Sequence, residues 1–140
     1  MKKIVLTAIT LCFLMGGCKQ TKKTVTDIPP AVLSGVFTVV SVNGQQISSK
    51  AVLDFNNVDK RILGNAGCND FAGTYTQNAN SLKIGQLSST KMYCDGAMKN
   101  EYAIQKALKN VGSFDVSTTS LTLYSITEKK PLLKAIKNKE

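Results

Sequence analysis

From Val32 onward the chain is cut at short intervals by residues that force turns: Asn43-Gly44, Asn56-Asn57, Asn78 to Asn80, and Pro131 near the end. The stretches between them are rich in Val, Thr, Phe and Tyr. Short β-branched runs bounded by Asn and Gly read as strands of an antiparallel sheet, and Asn-Gly is the strongest two-residue hairpin signal. Gly35 to Val42 is therefore expected to turn at Asn43-Gly44 and return from Gln45-Gln46. Ala51 to Phe55 pairs with Arg61 to Gly64. Phe71 to Gln77 places Phe71, Gly73 and Tyr75 on one face and pairs with Ser81 to Ile84. Phe114 to Val116, Ser120 to Ser125 and Pro131 to Ile136 complete the strands.

One segment breaks this rhythm. Ala97 to Val111 follows a helical period, with Ala97, Ile104, Ala107, Leu108 and Val111 on one stripe and Met98 and Tyr102 beside it. Asp95 is placed to cap its start, Gly112 to follow its last turn as a C′ glycine, and Lys106 and Lys109 to suit the negative end of its dipole. The expected fold class is thus α+β: a mainly antiparallel sheet with one amphipathic helix.

The N-terminus carries a different message. Met1-Lys2-Lys3 is a short basic region, and Ile4 to Met15 is an apolar stretch with the length of a signal-peptide core. Leu14-Met15-Gly16-Gly17-Cys18 resembles the lipobox of bacterial lipoproteins, which implies cleavage before Cys18 and attachment of lipid to its thiol. Residues 1–17 then form the signal peptide, 18–31 a polar, Thr-rich tether ending in Pro29-Pro30, and 32–140 the folded domain. Several acyl chains anchor stably, at ~0.8 kcal/mol per buried methylene. Lys19 stands where Asp acts as a retention mark in some bacteria, so the expected location is the outer membrane, facing the periplasm. No apolar run reaches the roughly 18 residues of a spanning helix.

Composition removes most enzyme classes. The 140 residues contain no His, which excludes Ser-His-Asp and Cys-His catalysis and most zinc sites. No metal and no cofactor is expected. Six of the nine carboxylates, Asp54, Asp59, Asp70, Asp95, Glu101 and Asp115, are candidates for acid-base chemistry. A bridge from Cys68 to Cys94 would bring Asp70 and Asp95 into one neighbourhood, making a small envelope hydrolase the alternative reading. Asp70 in a turn and Asp95 as a cap already have structural reasons, so no catalytic residue is assigned. Cleavage removes Lys2 and Lys3, leaving 16 basic against 9 acidic residues, or +7. That charge is spread without a single stripe or interleaved aromatics, and nucleic acid is not an expected partner.

Four Cys are present. Cys12 leaves with the signal peptide and Cys18 carries lipid, so Cys68 and Cys94 are the pair left in an oxidising compartment, and a disulfide between them is expected. A redox thiol or metal pair would need a CxxC spacing or a His, and neither occurs.

Gly64-Asn65-Ala66-Gly67-Cys68-Asn69, Gly73-Thr74-Tyr75, Thr90-Lys91-Met92-Tyr93-Cys94, Glu101 and Leu121-Thr122-Leu123 together resemble the META domain of HslJ-like bacterial lipoproteins. The opening Leu33 to Gly44 is similar as well, with Phe37 where Trp is usual. The resemblance covers about residues 32 to 136. It implies a barrel-like sheet with one helix across it, similar to some small pilot lipoproteins of secretion systems. It also implies links to stress tolerance or secretion without shared catalytic chemistry. Gly67-Cys68-Asn69 is carried over as a tight turn, Thr90 and Glu101 as hydrogen-bonding elements near it. The function expected is a lipid-anchored, non-catalytic binding or scaffold module. Its expected partners are the membrane, through the N-terminal lipid, and an envelope protein or hydrophobic ligand whose binding residues the sequence does not specify.

Overall fold

The computed structural model describes residues 31–48 and 50–139. Its first strand, β1 (Gly35–Val42), buries Phe37 and Val39 on one face. A bulge after Val39 then brings Ser41 and Val42 inward together, because the inserted residue shifts the alternation by one. The strand turns at Asn43 (φ 50°) and Gly44 (φ 80°), the left-handed pair that a two-residue hairpin requires, and returns as the short β2 (Gln45–Gln46).

β3 (Val52–Asn56) pairs with β1 and with β4 (Arg61–Asn65). The turn between β3 and β4 is held by Asn56, whose Oδ1 accepts from Val58 N (2.9 Å) and Asp59 N (3.1 Å). β5 (Asp70–Asn78) pairs with β4 and with β6 (Ser81–Ile84), and sends Phe71 and Tyr75 inward from one face. β7 (Ser88–Ser89) adds two residues alongside the start of β5. The sequence analysis did not anticipate β7, because two serines carry no strand pattern of their own.

β8 (Val111–Val116), β9 (Ser120–Ser125) and β10 (Pro131–Lys137) follow, with Pro131 at the first position of its strand, where a missing N–H disrupts least. β6 pairs with β8, and β10 pairs back with β1, so β1, β3, β4, β5, β6, β8, β9 and β10 close into an antiparallel barrel. The fold class is α+β. Eight strands leave an interior that side chains fill. Phe55 meets Phe37 and Tyr75 edge to face, at 6.2 Å and 5.4 Å between ring centroids, in one buried cluster with Leu53, Ile62, Leu82, Leu121 and Leu123.

The two barrel ends are built differently. At the end where β1 starts and β3 finishes, Leu33 is fully buried, and Tyr75 Oη donates to its carbonyl at 3.0 Å. Gln77 secures the same segment: its Oε1 accepts from Leu33 N at 3.1 Å and its Nε2 donates to Ala31 O at 2.6 Å. At the opposite end lies α1 (Met98–Lys109), which approaches β1 and β10 on one wall and β6 on the facing wall. Ile104, Ala107 and Leu108 belong to the barrel's buried cluster.

The helix corrects several expectations. It begins at Met98 with Ala97 at the N-cap and no side-chain cap, so Asp95 lies too early in the chain to serve. It stops at Lys109, with Asn110 as C-cap and Val111 already in β8, because the barrel needs Val111 as strand. Gly112 is consequently no helix-terminating glycine. It is required by close approach, since a Cβ there would stand 2.5 Å from Ile126 Cα. Met98 and Tyr102 are exposed, and Glu101 occupies the buried face between Ala97 and Ile104.

Candidate functional site

The rim at the helix end collects the connection from β4 to β5, the loop from β7 to α1, and the first turns of α1. Tight reversal after Asn65 is written into the sequence: Asn65 Oδ1 accepts from Gly67 N at 2.8 Å, and Gly67 adopts a φ of 107° open to glycine. Ala66 N donates to Asn69 O at 3.0 Å, which closes the turn. Asn69 is thereby driven inward and is 1% exposed.

A buried amide must find partners for both ends, and Asn69 uses all its capacity. Its Nδ2 donates to Met92 O (2.9 Å) and to Glu101 Oε1 and Oε2 (3.0 and 3.1 Å). Its Oδ1 accepts from Thr90 Oγ1 (2.8 Å) and Met92 N (2.7 Å). Its backbone N donates to Glu101 Oε2 at 3.1 Å. Glu101, 6% exposed in the first turn of α1, accepts also from Gln105 Nε2 at 3.3 Å. Its negative charge sits beside the positive end of the helix dipole. The Cys68–Cys94 disulfide, with 5.9 Å between Cα atoms, fastens the same loop one residue beyond Tyr93.

These ties fix a loop whose side chains face water. Met92 is 53% exposed and Tyr93 81%, and Tyr102 on the neighbouring helix is 69% exposed. Between loop and helix lies an open groove of about 510 Å³, lined by Lys91, Met92, Tyr93, Met98 and Gln105, with Asn69 and Glu101 at its base. Ser89 and Thr90 form its far wall and also border a second groove of about 580 Å³ over Leu63, Ala72 and Asp70. The two grooves share Ser89 and Thr90 between them.

The hydrolase alternative finds no enclosed carboxylate pair. Asp70 is exposed and its Oδ1 accepts from Asn65 Nδ2 at 2.7 Å, while Asp95 is exposed in the loop before α1. Thr90 and Glu101 are joined through Asn69, so the resemblance pointed to the right side chains. The sequence reading missed Asn69 as their hub, and missed Met92 and Tyr93 as a displayed pair. A Glu in the apolar stripe of a helix was the signal for the first, and apolar residues in a segment without periodicity the signal for the second. Among the described residues no cluster of His, Cys, Asp or Glu could hold a metal ion, and no helix is long and apolar enough to cross a membrane. The expected lipidation at Cys18, signal peptide over 1–17 and tether up to residue 30 all fall outside the described residues.

Three solved structures share this architecture. An NMR structure of a protein from Burkholderia xenovorans superposes with a TM-score of 0.63 at 17% identity, over 78% of this chain and 85% of that one. A second NMR structure gives 0.58 at 26% identity, over 73% and 88% of the two chains. A crystal structure of a DUF4847 family protein from Bacteroides vulgatus gives 0.53 at 19% identity, over 78% and 96%. No curated protein matches the chain. The family model of the META domain matches residues 31–139, from just before the buried Leu33 to two residues beyond β10, and the chain belongs to the META domain family.

Proposed function

We propose that this protein is a lipid-anchored module of the bacterial envelope that binds a partner, without catalysis, through the rim formed by residues 89–94 and the exposed face of α1. The observation that carries this reading is the pairing of a rigid backbone with exposed apolar side chains at Met92 and Tyr93. Exposed Tyr and Met at a fixed position are the composition of binding surfaces, and a loop already ordered loses little entropy when a partner arrives. A family without assigned catalytic chemistry supports the non-catalytic reading, as does the exposure of both Asp70 and Asp95 among the described residues.

The anchored reading rests on the lipobox-like Leu14-Met15-Gly16-Gly17-Cys18, and the polarity of the barrel gives it a direction. Ala31 and Leu33 lie at the end away from α1, so on this reading the anchored side of the domain is the end opposite the rim. On this reading the outer membrane holds the lipid, the domain faces the periplasm, and the partner is an envelope protein or a hydrophobic ligand. Roles in stress tolerance or secretion follow from what that partner does.

The test is photocrosslinking in living cells, with benzoylphenylalanine at position 93 and, as control, at position 58. Val58 is 89% exposed but lies in the turn at the tether end. A discrete adduct from position 93 alone is the expected result. Equal labelling from both positions, or none from 93, overturns the assignment of the rim.

A further inference from the structure

We infer that the partner of this rim is an acidic polypeptide segment that places an apolar side chain in the groove between Met92 and α1. The inference rests on the docking assignment above and adds the chemistry of the occupant. Lys99, Tyr102, Lys106 and Lys109 are all exposed and recur at three- and four-residue spacing, so they share the outward face of the helix. Lys91 adds a fifth outward group beside Met92 and Tyr93, and is also exposed.

The carboxylates near this face do not balance those lysines. Glu101 is turned inward, away from the outward face of α1, Asp70 lines the neighbouring groove instead of this one, and Glu128, which shares a groove with Lys106, is accompanied there by Lys130. Asp95 is the one exposed carboxylate in the loop itself. The rim is therefore cationic around an apolar, concave centre. Positive potential steers an acidic partner and selects against basic ones.

Shape decides between a peptide and a membrane surface. A bilayer meets a convex apolar patch, whereas a groove of about 510 Å³ between loop and helix accepts an inserted side chain. Met92 and Met98 line it, and their unbranched thioethers adapt to the anchor that enters.

The experiment selects from a phage-displayed library of random 12-residue peptides against the full chain, purified in detergent. The expected pool is enriched in Asp and Glu flanking a Leu, Ile, Phe or Met. A peptide synthesised from it should bind at least about tenfold more weakly to the Lys91→Glu, Lys99→Glu, Lys106→Glu variant, and more weakly in high salt. These lysines are exposed, and an unchanged melting midpoint verifies the variant's fold. Enrichment without an acidic bias, or binding that ignores the charge reversal, overturns the acidic class while a crosslink at position 93 keeps the docking assignment. If no peptide is enriched and phosphatidylglycerol vesicles bind with the same sensitivity to charge reversal, the rim is a lipid contact and the inference falls. If neither binds and position 93 gives no adduct, the docking assignment falls with it.

Discussion

Asn69 holds Met92 by both of its backbone groups: Nδ2 donates to Met92 O at 2.9 Å, and Oδ1 accepts from Met92 N at 2.7 Å. The side-chain amide does for one residue what a neighbouring strand does for a ladder. It satisfies the polar backbone of a loop that has no strand partner there, while the Met92 side chain stays in solvent.

Asn69→Asp tests that arrangement with almost no change of shape. The variant loses the two Nδ2–H donors and sets a second carboxylate against Glu101 at a buried site. Each orphaned buried group costs about 1–3 kcal/mol, and an uncompensated charge more, so a loss of about 3–5 kcal/mol is expected by denaturant unfolding. Adding Glu101→Gln to Asn69→Asp should recover part of it, because the like-charge contact disappears. A loss under about 1 kcal/mol in the single variant would show that the loop does not depend on Asn69.

At the barrel end away from α1, Tyr75→Phe should cost about 1 kcal/mol at neutral pH, through the loss of the hydrogen bond to Leu33 O. The pH dependence separates the hydroxyl's ionisation from its bond. Burial raises the Tyr75 pKa above 10.0 in the folded state. Below pH 10 both folded and unfolded forms keep the proton, and the stabilisation is complete. As pH climbs from 10 through the folded pKa, the unfolded chain ionises first and stability falls, by at most about 1.4 kcal/mol per pH unit. Comparing parent and Tyr75→Phe unfolding from pH 8 to 11 should show their difference shrinking above pH 10. A constant difference contradicts the burial effect.

Local signals account for what could be read from the chain. Asn43-Gly44 and Asn56 set their own turns through left-handed backbone or side-chain bonds to residues two or three positions on, so those hairpins are legible. The start of α1 is not, because no side chain caps it and Ala97 carries no signal. Gly112 looks like a helix stop and serves instead to let Ile126 approach, a contact made with a residue on another strand's exit. At the rim, Asn69, Thr90, Met92 and Glu101 come from three separate segments. Resemblance marked Thr90 and Glu101, but only the closed barrel makes Asn69 their hub.

Cys18→Ser should release the protein from membranes, because no helix among the described residues can span one and the anchor is expected on that thiol. Fractionation without detergent reads the result, with the mass of the chain establishing whether residues 1–17 are still attached. A mature-length variant that pellets like the parent would show that something other than an acyl group holds it.

Replacing both bridge cysteines, Cys68→Ala with Cys94→Ala, should affect the rim before it affects the barrel. The bond spans 26 positions and joins the turn that carries Asn69 to the loop that carries Met92 and Tyr93. Removing a native bridge from a small exported domain typically costs about 2–5 kcal/mol, and the barrel's hydrogen-bonded closure does not pass through it. Two readouts distinguish local from global loss. The denaturation midpoint should fall, and exchange of the Met92 amide should accelerate more than that of Phe55 or Ile62, which lie in paired strands of the barrel wall. Crosslinking from position 93 should weaken in parallel, since the displayed side chain is no longer held in place. Equal acceleration at all three amides would mean that the bond stabilises the fold as a whole and leaves the rim no stiffer than the rest. Two free thiols at Cys68 and Cys94 in protein isolated from its own envelope would remove the bond from the native state, and the rim would then be ordered by Asn69 alone.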